Sequence, residues 1–353
     1  MPELHPLADR YLDALYALPD ELRARRALED ELAAHLTGGH HVCIRGFWRS
    51  GKTTLLTGVL QQACQRTGGA AFTLDLRDPA REDGLPTSAE GVLARVTVKV
   101  NEFLGRVGAT ELKADPKQPL AVLGELAAPI FVGFDELIVL HALGGEPARA
   151  LIEALLSTPK NVKVAVVCHR HRDVDALFEG AVVARAGVAT VLVPPMTDDE
   201  LVNLVQTPAL AEGVRFSNEA LGAIADLSGN RPWEVLSLCA VAASRLAPGF
   251  KGELAPDAVD ALLDLDLLGE SDEGRAVIEA HLRVLAAEMN VEERTVMEML
   301  SAGAEGEATE DAVARLEAAG WVVSSDEGMA VNGALMELIA RAVAEGAIKV
   351  SVA

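Results

Sequence analysis

Apolar positions along this chain follow two different periods, and the alternation between them lays out its elements. Leu12, Leu15, Leu18, Leu22, Leu28, Leu32 and Leu36 recur mostly three or four residues apart, which predicts helix over 8–36 with one break near Pro19. Gly38-Gly39 ends it. His41–Arg45 then reads as a short buried strand, a glycine-bounded loop covers Gly46–Lys52, and Thr53–Arg66 returns to helical spacing. Strand-type runs recur at Ala70–Leu76 (AAFTLDL), Pro129–Asp135 (PIFVGFD), Val162–Cys168 (VKVAVVC) and Ala189–Val193. Thr87–Leu104, Leu120–Leu126, Ala148–Leu156 and Asp173–Phe178 read as helices between them, and the polar stretch Gly108–Pro119 as a linker or surface loop. Near-continuous apolar strands alternating with helices predict an α/β domain, a parallel sheet covered by helices on both faces.

Beyond Pro194-Pro195 the strand-type runs stop. Thr197–Leu246 reads as three helices. The first opens on Thr197-Asp198-Asp199-Glu200, a capping-box sequence. The second opens on Ser217-Asn218-Glu219, and the third follows Gly229-Asn230-Arg231-Pro232, where proline suits a first helical turn. Pro256–Leu263 is a further helix, and Gly269–Glu273 an acidic linker. The remainder predicts helices over 276–289, 291–302 and 309–319, strands Trp321–Ser324 and Met329–Val331 about a turn at Asp326-Glu327-Gly328, and a last helix over 334–344. Helices followed by a small hairpin suggest a winged helix. The expected organisation is a parallel-sheet domain over 1–196, an all-α lid over 197–268 and a winged-helix-like domain over 269–353.

A chain of 353 residues is too long for one compact core, which agrees with several domains. Its formal charge is −22, from 53 acidic and 31 basic residues. Non-specific DNA binding depends on lysine and arginine neutralising phosphates, so a protein partner or self-association is favoured over DNA. Solubility alone is the other account of the acidity. Cys43, Cys64, Cys168 and Cys239 lie far apart with no CxxC pair, a spacing that fits buried free thiols in a reducing compartment better than zinc or a disulfide framework. No run of about 18 uncharged apolar residues would span a membrane. The first residues lack the apolar core of a secretory signal, so a cytoplasmic location is expected.

The chemistry concentrates in Gly46-Phe47-Trp48-Arg49-Ser50-Gly51-Lys52-Thr53, which fits G-x-x-x-x-G-K-[ST] between a strand and a helix. Glycines let consecutive N–H groups of the loop turn inward onto phosphate oxygens, and the helix N-terminus adds a favourable dipole. Lys52 supplies a point charge to the β- and γ-phosphates. Thr53 offers a hydroxyl oxygen to Mg²⁺, a hard ion. Gly46, Arg49, Ser50, Gly51, Lys52, Thr53 and Thr54 are the expected nucleotide contacts in this stretch. The second signal is Ile130-Phe131-Val132-Gly133-Phe134-Asp135-Glu136, an apolar strand ending in two acids. Asp135 is expected to orient the Mg²⁺ water shell, and Glu136 to activate the attacking water as general base. His169, after the strand Val162–Cys168, is a candidate contact to the γ-phosphate; a basic surface loop over His169–Arg172 is the alternative. Arg231 and Pro232 open a lid helix and are candidate nucleotide contacts, against a plain helix-start turn with a surface arginine.

Together these segments resemble the AAA+-related signal-transduction ATPases with numerous domains, the STAND class, over about residues 20–345. The loop GFWRSGKTTLL resembles that group's G-x-R-R-x-G-K-T-x-L-L, with Trp48 in place of one basic residue. Arg25, Arg26 and Glu29 resemble the Arg- and Glu-bearing helix that precedes the loop in the group. Met196–Leu238 is similar to its helical lid, whose Gly-x-Pro turn touches nucleotide; Asn230-Arg231-Pro232 replaces the glycine. The resemblance implies a P-loop NTPase fold and a switch that closes on ATP with Mg²⁺, ATP bridging sheet domain and lid, and works through protein contacts or oligomerisation. Arg170, Arg172 and Arg185 are candidate arginine fingers. Two other readings stand beside it. One is a DNA-associated AAA+ ATPase of the initiator or transposition-regulator type, although the helix that would read DNA, TEDAVARLEAA, carries one arginine against three acids. The other is a nucleotide-binding scaffold with negligible turnover.

Overall fold

The computed structural model describes residues 5–16, 25–46, 50–81, 84–168 and 187–255. In the C-terminal part it describes 295–297, 299–300, 309–310, 312–313, 316, 321–325 and 328–333. Contacts divide the chain into two compact units, one of residues 26–46 and 52–192, the other of 1–25, 47–51 and 193–353.

In the first unit, α2 (Arg26–Thr37), β1 (His41–Arg45), α3 (Lys52–Thr67), β2 (Ala70–Asp75) and α4 (Ala89–Arg106) follow one another. β3 (Ile130–Asp135), α5 (Gly145–Leu156), β4 (Val162–Cys168) and β5 (Val188–Leu192) complete it. The five strands form one parallel sheet in the order β2-β3-β4-β1-β5. Alternation along a strand sorts its side chains between two faces. Ile130, Val132 and Phe134 of β3 join Val96, Val100 and Phe103 of α4 and Leu151 and Leu155 of α5 in one core. Gly133, of opposite parity, lies beneath Leu56 and Leu60 of α3. Both faces are covered by helices, as the apolar strand runs predict. The short helix expected over Leu120–Leu126 is a 3₁₀ helix, Ala121–Glu125, and a second one, Leu137–Leu143, follows the acid pair.

In the second unit, α1 (Pro6–Tyr16) packs with α6 (Asp198–Ala211), α7 (Asn218–Ser228) and α8 (Pro232–Ser244). Leu7, Tyr11 and Ala14 share a core with Leu204, Val205, Val235 and Leu238, and the Tyr11 hydroxyl donates to the Val205 carbonyl at 2.7 Å. The apolar face of α1 therefore groups with α6, α7 and α8, whereas the sequence predicts residues 1–196 as the sheet domain. The break expected near Pro19 falls in 17–24, outside the described residues. The capping box at Thr197 is present in both directions. The absence of strands after Pro195 is corrected: β6 (Val214–Phe216) and β7 (Gly252–Leu254) pair in parallel, and the Gln206 side chain brackets the Phe216 backbone from both sides. Three-residue strands are too short for a period-2 pattern to announce them. In the C-terminal part β8 (Val322–Ser325) and β9 (Gly328–Val331) form the antiparallel hairpin. Most of the helices expected around it, and the one at Pro256–Leu263, lie outside the described residues.

Candidate nucleotide site

β1 feeds Gly46, and α3 begins at Lys52, so the glycine-bounded stretch is the strand-to-helix turn of the sheet's inner strand. Phe47, Trp48 and Arg49 lie outside the described residues. Gly51 has φ +85°, a left-handed conformation that glycine adopts without strain. The Ser50 hydroxyl is buried with no hydrogen-bond partner among the described residues. A buried polar atom left unmatched is what a bound oxygen-rich ligand would satisfy. Lys52, the first residue of α3, is only 5% exposed, while Thr53 is exposed and Thr54 half-buried on the next positions.

The acid pair meets this helix start. The Thr53 side chain lies close enough to the Asp135 carboxyl to draw its pKa down, and the Glu136 N–H donates to Asp135 Oδ1 at 2.9 Å. Burial pushes the Asp135 carboxyl above the usual carboxylate range, the charges of Glu136 and Asp75 push it further, and the neighbouring Thr53 side chain and the Glu136 N–H pull it back. A desolvated carboxylate beside a hydroxyl, with two more carboxylates near, is a set of hard oxygen donors and negative charge suited to Mg²⁺. That ion usually takes few protein ligands and keeps several waters. Among the described residues no group of three or more His, Cys, Asp or Glu is placed to hold a metal, so the Thr53–Asp135 pair is the candidate. Glu136 has φ +56°, a left-handed backbone that costs a non-glycine residue roughly 1–2 kcal/mol and that clusters at functional positions.

Sequence reasoning missed two further groups here. Asp75, the last residue of β2, pairs in register with Asp135. Arg77 grips Asp75 through two nitrogens, Nη2 to Oδ2 at 2.5 Å and Nε to Oδ2 at 2.9 Å. Its guanidinium is held above its ordinary value chiefly by that bond, with Glu136 and Asp135 adding. The available signal was an acid ending a second apolar strand, since the carboxyl ends of parallel strands are where ligands bind.

β4 lies between β1 and β3, so its last residue, Cys168, stands between the loop strand and the acid-bearing strand. His169, Arg170, Arg172 and Arg185 lie outside the described residues. Cys43 and Cys168 are buried free thiols with sulfurs 3.4 Å apart, and Cys64 and Cys239 are also free, in line with the sequence reading. Of the group that resembles the helix before the loop, Glu29 is buried on α2 with its carboxylate against Gly58 of α3. Arg25, in the second unit, donates to the Pro194 carbonyl at 2.7 Å.

Arg231 and Pro232 belong to the second unit. Arg231 is committed to protein groups: Nε donates to Glu234 Oε1 at 2.9 Å, Nη1 to the Asn332 carbonyl at 3.2 Å, and the guanidinium lies over the Trp321 ring at 5.5 Å. Pro232 opens α8. Gly51, grouped with the same unit, has the Pro232 ring 4.0 Å from where a Cβ would stand.

No protein-family model matches the chain, and no curated protein matches it. Solved structures do. The Walker-type ATPase PABY2304 of Pyrococcus abyssi superposes with a TM-score of 0.58 at 16% identity, over 93% of this chain and 99% of that one. The Aeropyrum pernix ORC2 protein, solved as ADPNP–ADP complexes, gives 0.53 at 13% identity over 93% and 96%. At such identities the likeness is one of fold, and it runs nearly end to end. The parallel sheet, the loop at its inner strand and the acid-tipped β3 make this chain an α/β protein with the fold of the P-loop ATPases.

Proposed function

We propose that this chain binds ATP with Mg²⁺ at the Gly46–Thr53 loop, hydrolyses it slowly, and acts as a nucleotide-dependent switch or scaffold through protein contacts or self-association. The observation that carries the reading is the half-buried Asp135 carboxyl at the end of β3, with the Thr53 side chain close enough to draw its pKa down. It brings two motifs about eighty residues apart in sequence together at the start of α3. In the loop sequence itself, the unmatched Ser50 hydroxyl, the left-handed Gly51 and the buried Lys52 suit a polyphosphate.

In this reading the backbone N–H groups of Gly46–Gly51, with Arg49 and Ser50, cradle the phosphates. Lys52 neutralises the β- and γ-phosphate charge, and Thr54 and His169 complete the contacts. Thr53 and Asp135 would hold Mg²⁺, which when bound would supply positive charge beside the phosphates. Glu136 takes a proton from the attacking water, and Asp75 with Arg77 fixes the charge environment in which it does so. The STAND-like arrangement and a C-terminal winged helix belong to the same proposal. DNA is the weaker partner, because the chain carries −22 and the segment TEDAVARLEAA carries three acids to one arginine.

Calorimetry and phosphate release test the reading together. Lys52→Ala is expected to weaken ATP–Mg²⁺ binding by at least about tenfold, the loss of one buried charge-assisted contact. Glu136→Gln is expected to bind ATP normally and to lose about 10²-fold or more in phosphate release. Unchanged affinity in the first variant would remove the loop from the site. Equal release by wild type and Glu136→Gln would leave a nucleotide-binding scaffold.

A further inference from the structure

β2 is an edge of the five-stranded sheet, and its outer side carries no strand among the described residues. The Ala70 N–H donates to the Pro129 carbonyl at 3.0 Å, and the Leu76 N–H to the Asp135 carbonyl at 3.1 Å. In a parallel ladder such bonds recur at every second residue, so the even positions of β2 are spent on β3. The N–H and C=O groups of Ala71, Thr73 and Asp75 therefore face outward, and Thr73 and Asp75 are exposed. Beside this edge runs a groove of about 740 Å³, bounded by the end of β2, the turn after it and the outer face of α4. Leu74, Ala94 and Val98 give the groove an apolar part, and Val98 is 59% exposed. Arg95 and Lys99 line it as well, one turn apart on α4. Lys99 pairs with Glu102 at 3.4 Å. Arg95 is held differently: Nη2 donates to the Leu76 carbonyl at 2.7 Å and Nη1 to the Arg77 carbonyl. No carboxylate among the described residues pairs with it, so its charge is fixed in place without being neutralised.

We propose that this groove is a docking site for an extended, acidic segment of a partner protein, which adds to β2 as a further strand and sets its carboxylates on Arg95 and Lys99. The inference goes beyond the nucleotide reading and does not rest on it. Unpaired backbone groups along a sheet edge are a template for another chain, and strand addition draws its affinity from main-chain bonds and its specificity from alternate side chains. Every second side chain of the added strand falls on the α4 side. There an apolar one meets Leu74 and Val98, and acidic ones on either side of it meet Arg95 and Lys99 in charge-assisted bonds. Because Thr73, Asp75 and Val98 are exposed, the groove is open to solvent and fits a polypeptide rather than an enclosed small molecule. Charge selects the occupant. In a chain with 53 acids to 31 bases, a guanidinium held only by carbonyls is a place where an acidic partner is attracted rather than repelled. A second copy pairing edge to edge would bring two such cations side by side between two chains of −22.

The probe is a fluorescein-labelled peptide in which threonine alternates with glutamate, valine and glutamate, titrated by fluorescence anisotropy against the full chain without ATP. It is expected to bind saturably and to slow hydrogen exchange at the amides of Ala71 and Thr73. Replacing its glutamates with lysine is expected to weaken binding by at least about tenfold, and so is N-methylation along its pairing edge. Arg95→Gln should lose as much. Val98→Asp sets a carboxylate against those of the peptide at an exposed position that the fold tolerates, and it stands in should Arg95→Gln fail to fold. No saturable binding by the wild type, equal binding of the lysine peptide, or wild-type affinity in Val98→Asp overturns the docking site. Equal binding of the N-methylated peptide overturns strand addition. Dimers in light scattering that Val98→Asp abolishes would give the groove to a second copy and overturn the proposal too. A chain that binds the peptide but no ATP–Mg²⁺ keeps the docking site and loses the nucleotide reading instead.

Discussion

At the scale of the residue, His41 shows how burial sets a property that the sequence does not display. It begins β1, is 4% exposed, and its Nδ1 accepts the Val164 N–H at 3.0 Å, so the ring proton sits on Nε2. Burial, helped by the charges of Lys163 and His40, lowers its pKa from 6.5 to about 4. Between those two values the unfolded chain binds a proton that the folded chain refuses, so stability falls as pH drops through that window. The loss is complete below about pH 4 and absent above about pH 6.5. Integrated, the shift amounts to roughly 3 kcal/mol. Denaturant midpoints measured from pH 7.5 to pH 4.5 are expected to fall, and less steeply in His41→Asn. Parallel curves for the two proteins would mean that another group carries the acid sensitivity. The same residue scale separates what is written locally from what is not. Gly46, Gly51, Lys52 and Thr53 declare their chemistry by spacing, because a phosphate loop is a contiguous stretch of backbone. Asp75 and Arg77 join the acid corner only through the register of β2 on β3, and register is not written in either strand alone.

Among elements, α3 is the piece on which the site depends, and a glycine in the strand beneath it sets how closely it packs. Gly133 interrupts the apolar run of β3 and reads from sequence as its one weak member. In the fold it is the place where α3 approaches the sheet: a Cβ there would stand 2.8 Å from Leu60 Cδ1, 2.9 Å from Thr73 Cγ2 and 3.2 Å from Leu56 Cδ2. Overpacking of this kind costs about 1–3 kcal/mol. Gly133→Ala should lower the melting temperature by about 2 °C or more, since a unit of this size loses about 2–4 °C per kcal/mol. Gly133→Val should lower it further. Equal melting temperatures for all three proteins would show that α3 can move aside freely. Gly58 of α3 makes the matching approach to α2, where the Glu29 carboxylate fills the space of its missing side chain. The alternation of strands and helices was legible because each inner strand is long and apolar enough to carry a pattern. β6 and β7 were not, being three residues each. The docking of α1 was equally hidden: its apolar face is plain in the leucine spacing, but nothing in that spacing says which helices will cover it.

For the whole molecule the governing quantity is the charge of −22, which gives opposite salt dependences to the two kinds of partner. Copies of an acidic chain repel one another, and added salt screens the repulsion, with a Debye length that shrinks from about 10 Å at 0.1 M to about 3 Å at 1 M. Association driven by nucleotide should therefore strengthen as salt rises, provided that its contacts are mainly apolar or short-range. DNA binding must do the reverse, because each neutralised phosphate releases counterions and affinity falls steeply with salt. Light-scattering mass in ATP–Mg²⁺, followed from about 0.05 M to 0.5 M salt, is expected to rise or hold, while a mobility-shift titration with duplex DNA should show no specific complex at the lower salt. A monomer at every salt and nucleotide condition would remove self-association and leave a separate protein as the switch's partner. DNA binding that weakens with a steep slope would move the chain to the initiator-like reading, and would require a local basic surface to outweigh the charge of the whole.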